Sequence, residues 1–309
     1  AVISGDTELN ARLRSLDANL PELVVGIQAG AEQGLLVHEL ISSQLDVDRM
    51  DYLLRDSYYT GVESGRFDPY QLIHMIGGVV DGHLVFRNKG LLMVEEYVFA
   101  RYYMYQLVYQ HKTTRGAERL LQTTLGYAAA LAALGRLPAE PAALFASLRH
   151  QATLGEYLTL DDAMVWAAIR GWRTAADRTL ADLARRLLTR DHFRPLFSLA
   201  DDGSGTIRQV AEEATAAARR YLRQQGYDAD VYLLVDATGR PGYQPYRGAA
   251  RDPAIWVLDA EGRAQPLEQL SLPVRALVNP PRRVTWYGPV EVRDELSSLL
   301  RAAAGPGQR

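Results

Sequence analysis

LDVDRMDYLLRDSYYTGV, Leu45 to Val62, decides how the rest of the sequence is read. Four aspartates, two arginines and three tyrosines share these eighteen residues with a few aliphatics. At about 100° per residue, with Asp48 at the origin, Tyr52 falls at about 40°, Asp56 at about 80° and Arg49 at about 100°. Met50, Leu53 and Leu54 lie away from that face. A polar helix face of this kind is ordinarily the solvated side of an amphipathic helix, laced by Asp/Arg pairs at i, i+4. Tyr52 and Tyr59 at its centre are out of place on such a surface. An aromatic ring between a carboxylate and a guanidinium is suited to grip something planar or sugar-like.

Working outward, Asp6 to Arg194 reads mostly as amphipathic helices with short loops. The runs GLLVHELISSQL, LLMVEEYVFARYYMYQLVYQHK, GAERLLQTTLGYAAALAAL, LDDAMVWAAIRGW and AADRTLADLARRLL carry the pattern. GGVVDGHLVFRNKG, Gly77 to Gly90, interrupts them with apolar runs on either side of Asp-Gly, a β-hairpin signal. After DDGSGT, Asp201 to Thr206, the pattern changes to one Arg/Ala-rich helix, the β-like runs VYLLVD, AIWVLD and RRVTWYG, and a last helix, VEVRDELSSLLRAA. The expected architecture is mainly α: a helical core with a β-hairpin over residues 1–200, then a small α+β domain with an antiparallel sheet over 201–309. The tail AGPGQR reads as disordered.

Composition narrows the chemistry. The hydrophobic fraction of 48% and charged fraction of 23% are those of a soluble globular chain. Cysteine is absent, so any metal must be held by His, Asp or Glu. A net charge of −3 argues against a nucleic-acid partner on electrostatic grounds. No apolar run approaches the roughly 18 residues of a membrane span, and no signal pattern opens the chain, so no membrane partner and a cytoplasmic location are expected.

The run QLDVDRMDYLLRDSYYTGV resembles the motif that closes the catalytic core of the HD-domain deoxynucleoside triphosphate triphosphohydrolases, the dGTPase-like branch of the HD-superfamily phosphohydrolases. ARYYMYQLVYQHK, Ala100 to Lys112, resembles that family's second substrate-contacting helix through its Arg-x7-Tyr-Gln-x-Lys pattern. The resemblance spans roughly Asp6 to Leu121 well. It implies an HD-type helical core and metal-dependent hydrolysis of a dNTP to a deoxynucleoside and inorganic triphosphate.

Position by position, the resemblance makes Asp48 the last ligand of an H…HD…D metal site, holding magnesium, manganese, iron or zinc. It places Arg49 and Arg101 on the phosphates, Tyr52 and Asp56 toward the deoxyribose and its 3′-hydroxyl, and Tyr109 on the sugar where a 2′-hydroxyl would clash. Gln110 corresponds to a residue near the base. Tyr105 stands where the family often has His and joins the substrate-binding set. Arg87 and Lys89 on the hairpin, with Lys112, resemble positions that bind a regulatory dNTP at a subunit interface, and a homo-oligomer is expected. With Arg101 at the origin, Lys112, Tyr105 and Tyr109 fall at about 20°, about 40° and about 80°, a basic and aromatic stripe.

The sequence departs from the family in one respect. It contains no His-Asp dipeptide, and His38, His74, His83, His111, His150 and His192 lie in separate segments. One carboxylate does not hold a divalent cation. His38 is the nearest candidate to Asp48, and a single histidine on an apolar helix is ordinarily a hydrogen-bonded core residue. The chain opens at Ala1, where the family has passed its HD helices. The expectation is a C-terminal portion of such an enzyme, with no catalytic residue assigned within it. Two alternatives stand beside it: a non-catalytic nucleotide-sensing or scaffold protein, and an HD phosphoesterase acting on other nucleotides or nucleic-acid ends.

Overall fold

A computed structural model describes residues 1–31, 34–137, 141–201, 207–239, 242–248, 254–279 and 282–305. Most of DDGSGT and the last four residues of the tail lie outside these. The fold is mainly helical with two small sheets. No helix among the described residues is long and apolar enough to cross a membrane.

The chain divides into two compact units. The first joins Ala1–Tyr109 to Arg240–Pro280, and the second joins Gln110–Gly239 to Pro281–Arg309. A division at 200/201 falls inside the second unit. The chain leaves the first unit, returns to it for one excursion, and ends in the second. Seven strands are described: β1 (Ile76–Val80), β2 (His83–Phe86), β3 (Arg194–Ala200), β4 (Leu234–Thr238), β5 (Trp256–Leu258), β6 (Ala264–Pro266) and β7 (Arg283–Gly288).

In the first unit the polar stretch forms helix α1 (Val47–Thr60). Its partner, α2 (Leu91–Met104), follows the hairpin. The hairpin turn has Asp81 at φ 52° and Gly82 at φ 82°, the paired left-handed conformations of a two-residue turn whose twist matches the strands. The sheet runs β1-β2-β5-β6, with β5 parallel to β2. AIWVLD, expected in an antiparallel sheet with VYLLVD and RRVTWYG, therefore extends the hairpin instead. Burial explains the choice, because Ile255 and Val257 enter the core with Phe86, Val94, Leu53 and Val274.

The second unit carries α3 (Lys112–Ala133), α4 (Arg178–Leu188), α5 (Ile207–Gln224) and α6 (Arg293–Ala304) around the antiparallel sheet β3-β7-β4. Within it, Asp236 is buried and accepts from Arg115 Nε at 2.9 Å. Trp286 donates its indole N–H to Thr215 at 2.8 Å. Strand β3 falls inside the span 1–200 expected to form the helical core, just past the last run read as helical; a register shift between Pro195 and Phe197 puts Leu196 and Leu199 on the buried side and hides the alternation expected of a strand.

Leu53 has no exposed surface. Leu53→Ala should therefore cost about 2–5 kcal/mol in chemical denaturation, whereas Tyr59→Ala, at 80% exposure, should stay within about 0.5 kcal/mol. A Leu53→Ala loss no larger than that of Tyr59→Ala would refute this packing.

Candidate functional site

The site is built from α1, α2 and the turn after α2. Asp46 caps α1, accepting from the Arg49 backbone N–H at 2.7 Å, and its second oxygen accepts from Arg49 Nε at 2.9 Å. One buried carboxylate, 3% exposed, thus starts the helix and orients the first arginine of its polar face. Burial would lower the Arg49 pKa, but the Asp46 hydrogen bond and charge outweigh it and leave it raised.

Helix α2 does not continue through YQLVYQHK. A π-helical turn occupies Tyr105–Tyr109, and a new helix starts at Lys112, capped by the His111 ring. Wider turns of this kind change the angular phase of everything after them. The wheel that put Lys112 on the same stripe as Arg101 therefore does not hold beyond Tyr105. Gln110 and Lys112 belong to the second unit, Lys112 exposed at the start of α3.

The turn brings the remaining residues together. Tyr109 donates its hydroxyl to Asp56 at 2.5 Å. Its ring meets the Tyr52 and Tyr105 rings edge-on, with centroids 6.0 Å and 5.2 Å away. The Arg101 guanidinium lies over the Tyr105 ring, 5.3 Å from its centroid, a cation–π distance. Arg49 and Arg101 both act on Tyr52 electrostatically. Tyr52, Asp56, Arg101, Tyr105 and Tyr109 thus form one connected cluster, with Arg49 near enough to act on Tyr52.

The electrostatics are those of a half-closed, arginine-flanked aromatic site. Burial, then the neighbouring Tyr105, pushes Tyr52 up to about 12, while both arginines pull the other way. Burial and the Asp56 hydrogen bond raise Tyr109. Both hydroxyls stay protonated near neutral pH as donors. Arg101 is only 7% exposed. One terminal nitrogen donates to the Gly242 carbonyl at 2.9 Å, and its buried Nε has no partner.

Asp48 is exposed in the first turn of α1. Among the described residues, no group of three or more His, Cys, Asp or Glu could hold a metal ion. His38, half-buried, hydrogen-bonds the Ile27 carbonyl at 2.9 Å. His83 pairs with Glu39 at 2.5 Å and stacks on Trp256. The residues described do not fit a complete divalent-cation site around Asp48. Arg87 and Lys89 are exposed where β2 leaves the sheet, outside the contacts of the cluster.

The family described as the HD associated region matches residues 67–283. The chain belongs to that family. The matched span of the HD associated region takes in α2, the π turn and Gly242, while α1 precedes it. The chain is 32% identical over 279 residues to YwfO of Bacillus subtilis, covering 89% of this chain and 62% of that protein. The chain thus spans less than two thirds of that relative's length. It is 33% identical over 79 residues to a deoxynucleoside triphosphate triphosphohydrolase SAMHD1 homolog of Dictyostelium discoideum, covering 26% of this chain and 15% of that one. A solved phosphohydrolase from Bacteroides thetaiotaomicron superposes with a TM-score of 0.70 at 26% identity, covering 93% of this chain and 73% of that one.

Asp46, which fixes Arg49, escapes the face analysis, although an Asp just before an apolar-periodic run is a helix-start signal. Gly242, which touches Arg101 from 141 positions away, gives no local signal.

Because the folded Tyr52 titrates above its ordinary value of 10.0, the stability tied to its protonation is intact below pH about 10 and lost as pH rises through the folded value. Unfolding curves between pH about 10 and about 12 should steepen less for Tyr52→Phe than for the wild type. Identical slopes would show that Tyr52 is not held in a desolvated site.

Proposed function

We propose that this chain carries the substrate-recognition part of an HD-type phosphohydrolase that cleaves a dNTP to a deoxynucleoside and inorganic triphosphate. The observation that carries the reading is Arg101. A guanidinium buried in protein normally has a carboxylate partner, because an uncompensated buried charge is costly. Among the described residues, Arg101 has a carbonyl and a ring instead, with Nε left over. A phosphate oxygen supplies both the missing counter-charge and the missing acceptor. Arg49, already neutralised by Asp46, is proposed as the second phosphate-side cation.

Beside the arginines, Tyr109 and Tyr52 offer ring faces and hydroxyls, and Asp56 offers a carboxylate. In this reading Asp56 accepts from the 3′-hydroxyl while Tyr109 packs on the ribose carbon that would carry a 2′-hydroxyl. Arg87 and Lys89 remain candidates for a regulatory nucleotide in a homo-oligomer. The likeness to the Dictyostelium deoxynucleoside triphosphate triphosphohydrolase homolog and to the Bacteroides phosphohydrolase supports the assignment of class. Asp48 without companions does not make a cation site, so no step is derived through a metal, and turnover is proposed for the whole protein. That same lone carboxylate favours, as the second reading, nucleotide binding without turnover.

Arg101→Ala should weaken dNTP binding about 10- to 100-fold, the range for losing charge-assisted hydrogen bonds, measured by isothermal titration calorimetry. Tyr109→Ala should narrow the preference for a dNTP over the matching ribonucleotide. An Arg101→Ala chain that keeps the wild-type Kd removes the basis of the proposal.

A further inference from the structure

We propose that the segment Gly242–Gln244 is a positioning strap for Arg101, set by the buried side chain of Gln44. The inference rests on the reading of Arg101 as a triphosphate-side residue and adds what orients it.

Gln44 precedes α1 and is 3% exposed. Its amide nitrogen donates to the Gln244 carbonyl at 2.7 Å, and its amide oxygen accepts from the Gln244 backbone N–H at 2.7 Å. A side-chain amide making both bonds to one residue reproduces the pairing of two peptide groups, so it fixes the position and the direction of the strap together. The Gln44 carbonyl in turn accepts from the hydroxyl of Tyr97 on α2 at 2.9 Å. Two residues before Gln244, the Gly242 carbonyl receives Arg101. Tyr97 and Arg101 are one helical turn apart on the same face of α2. The strap and α2 are thereby linked at two points, once through Gln44 and once through Arg101.

The rest of the strap admits little adjustment. The Gly242 backbone N–H donates to the Leu277 carbonyl at 3.1 Å. A Cβ at Gly242 would lie 2.9 Å from the Tyr102 ring, so only glycine brings the carbonyl this close to α2. Tyr243 is fully buried, and its hydroxyl accepts from the Ile255 N–H at 3.1 Å. These contacts hold one terminal nitrogen of Arg101 against the carbonyl while Tyr105 lies against the guanidinium. The fork is left in a single orientation with Nε unpartnered. Gln44 and Gly242 touch no proposed ligand, and they act through Arg101.

The test uses the wild type, Gln44→Leu and Gln44→Glu, with each of the four common dNTPs and its deoxynucleoside as probes in calorimetric titrations. Gln44→Leu should raise the dNTP Kd about tenfold and leave the deoxynucleoside Kd unchanged within about twofold, because only the triphosphate reaches Arg101. Gln44→Glu keeps the acceptor for Gln244 N–H and the side-chain length, so its dNTP Kd should fall between the two; it also carries the test if Gln44→Leu does not fold. Equal weakening of dNTP and deoxynucleoside would show that Gln44 only supports the fold. Unchanged dNTP binding in both variants would show that the strap does not set Arg101. A wild type that binds dNTP no better than deoxynucleoside would instead overturn the reading of Arg101 itself, and the strap's role with it.

Discussion

A guanidinium buried without a carboxylate is the constraint around which the first unit is arranged. Arg101 is 7% exposed and has no ion-pair partner among the described residues. Desolvating a charge costs several kcal/mol unless hydrogen bonds and a counter-charge compensate. The fold supplies part of that compensation with the Gly242 carbonyl and the Tyr105 ring. The remainder is left uncompensated among the described residues. Contrast Asp236 of the second unit, equally buried but held by Arg115 and Arg119, where the charges are balanced within the protein.

The two arginines of the cluster are oriented by different means. Asp46 fixes Arg49 within one turn of the same helix, at once an N-cap and an ion pair. Arg101 is held by a backbone carbonyl from a distant segment, and that carbonyl arrives only because the chain makes an excursion from the second unit back to the first. The π turn then carries Tyr109 to Asp56 and Tyr52. Each device is structural, and together they leave hydroxyl, carboxylate and guanidinium groups in one small cluster.

Much of this was legible in the sequence, and the parts that were not share a cause. Asp-Gly between apolar runs specified the hairpin, because both residues tolerate the left-handed backbone that the turn requires. The polar face of α1 and the residues Arg101 and Tyr105 were readable because helical periodicity is local, whereas Tyr109 lies at the end of the π turn. The phase change at Tyr105 was not, since nothing in YQLVYQHK differs in propensity from the helix before it. Strand β3 was hidden by Pro195 and a register shift, and the parallel partnership of β5 with β2 joins residues some 170 positions apart, beyond any local signal. Gln44 and Gly242 belong to the same class. Their meaning lies entirely in each other's proximity, which composition and spacing do not encode.

Phosphorus NMR of the products is the most direct measurement of the central claim. The natural full-length polypeptide would be incubated with each dNTP and added magnesium or manganese. Inorganic triphosphate and a deoxynucleoside are the expected products. Release of pyrophosphate or orthophosphate, or no hydrolysis by a protein verified to be full length, would contradict it.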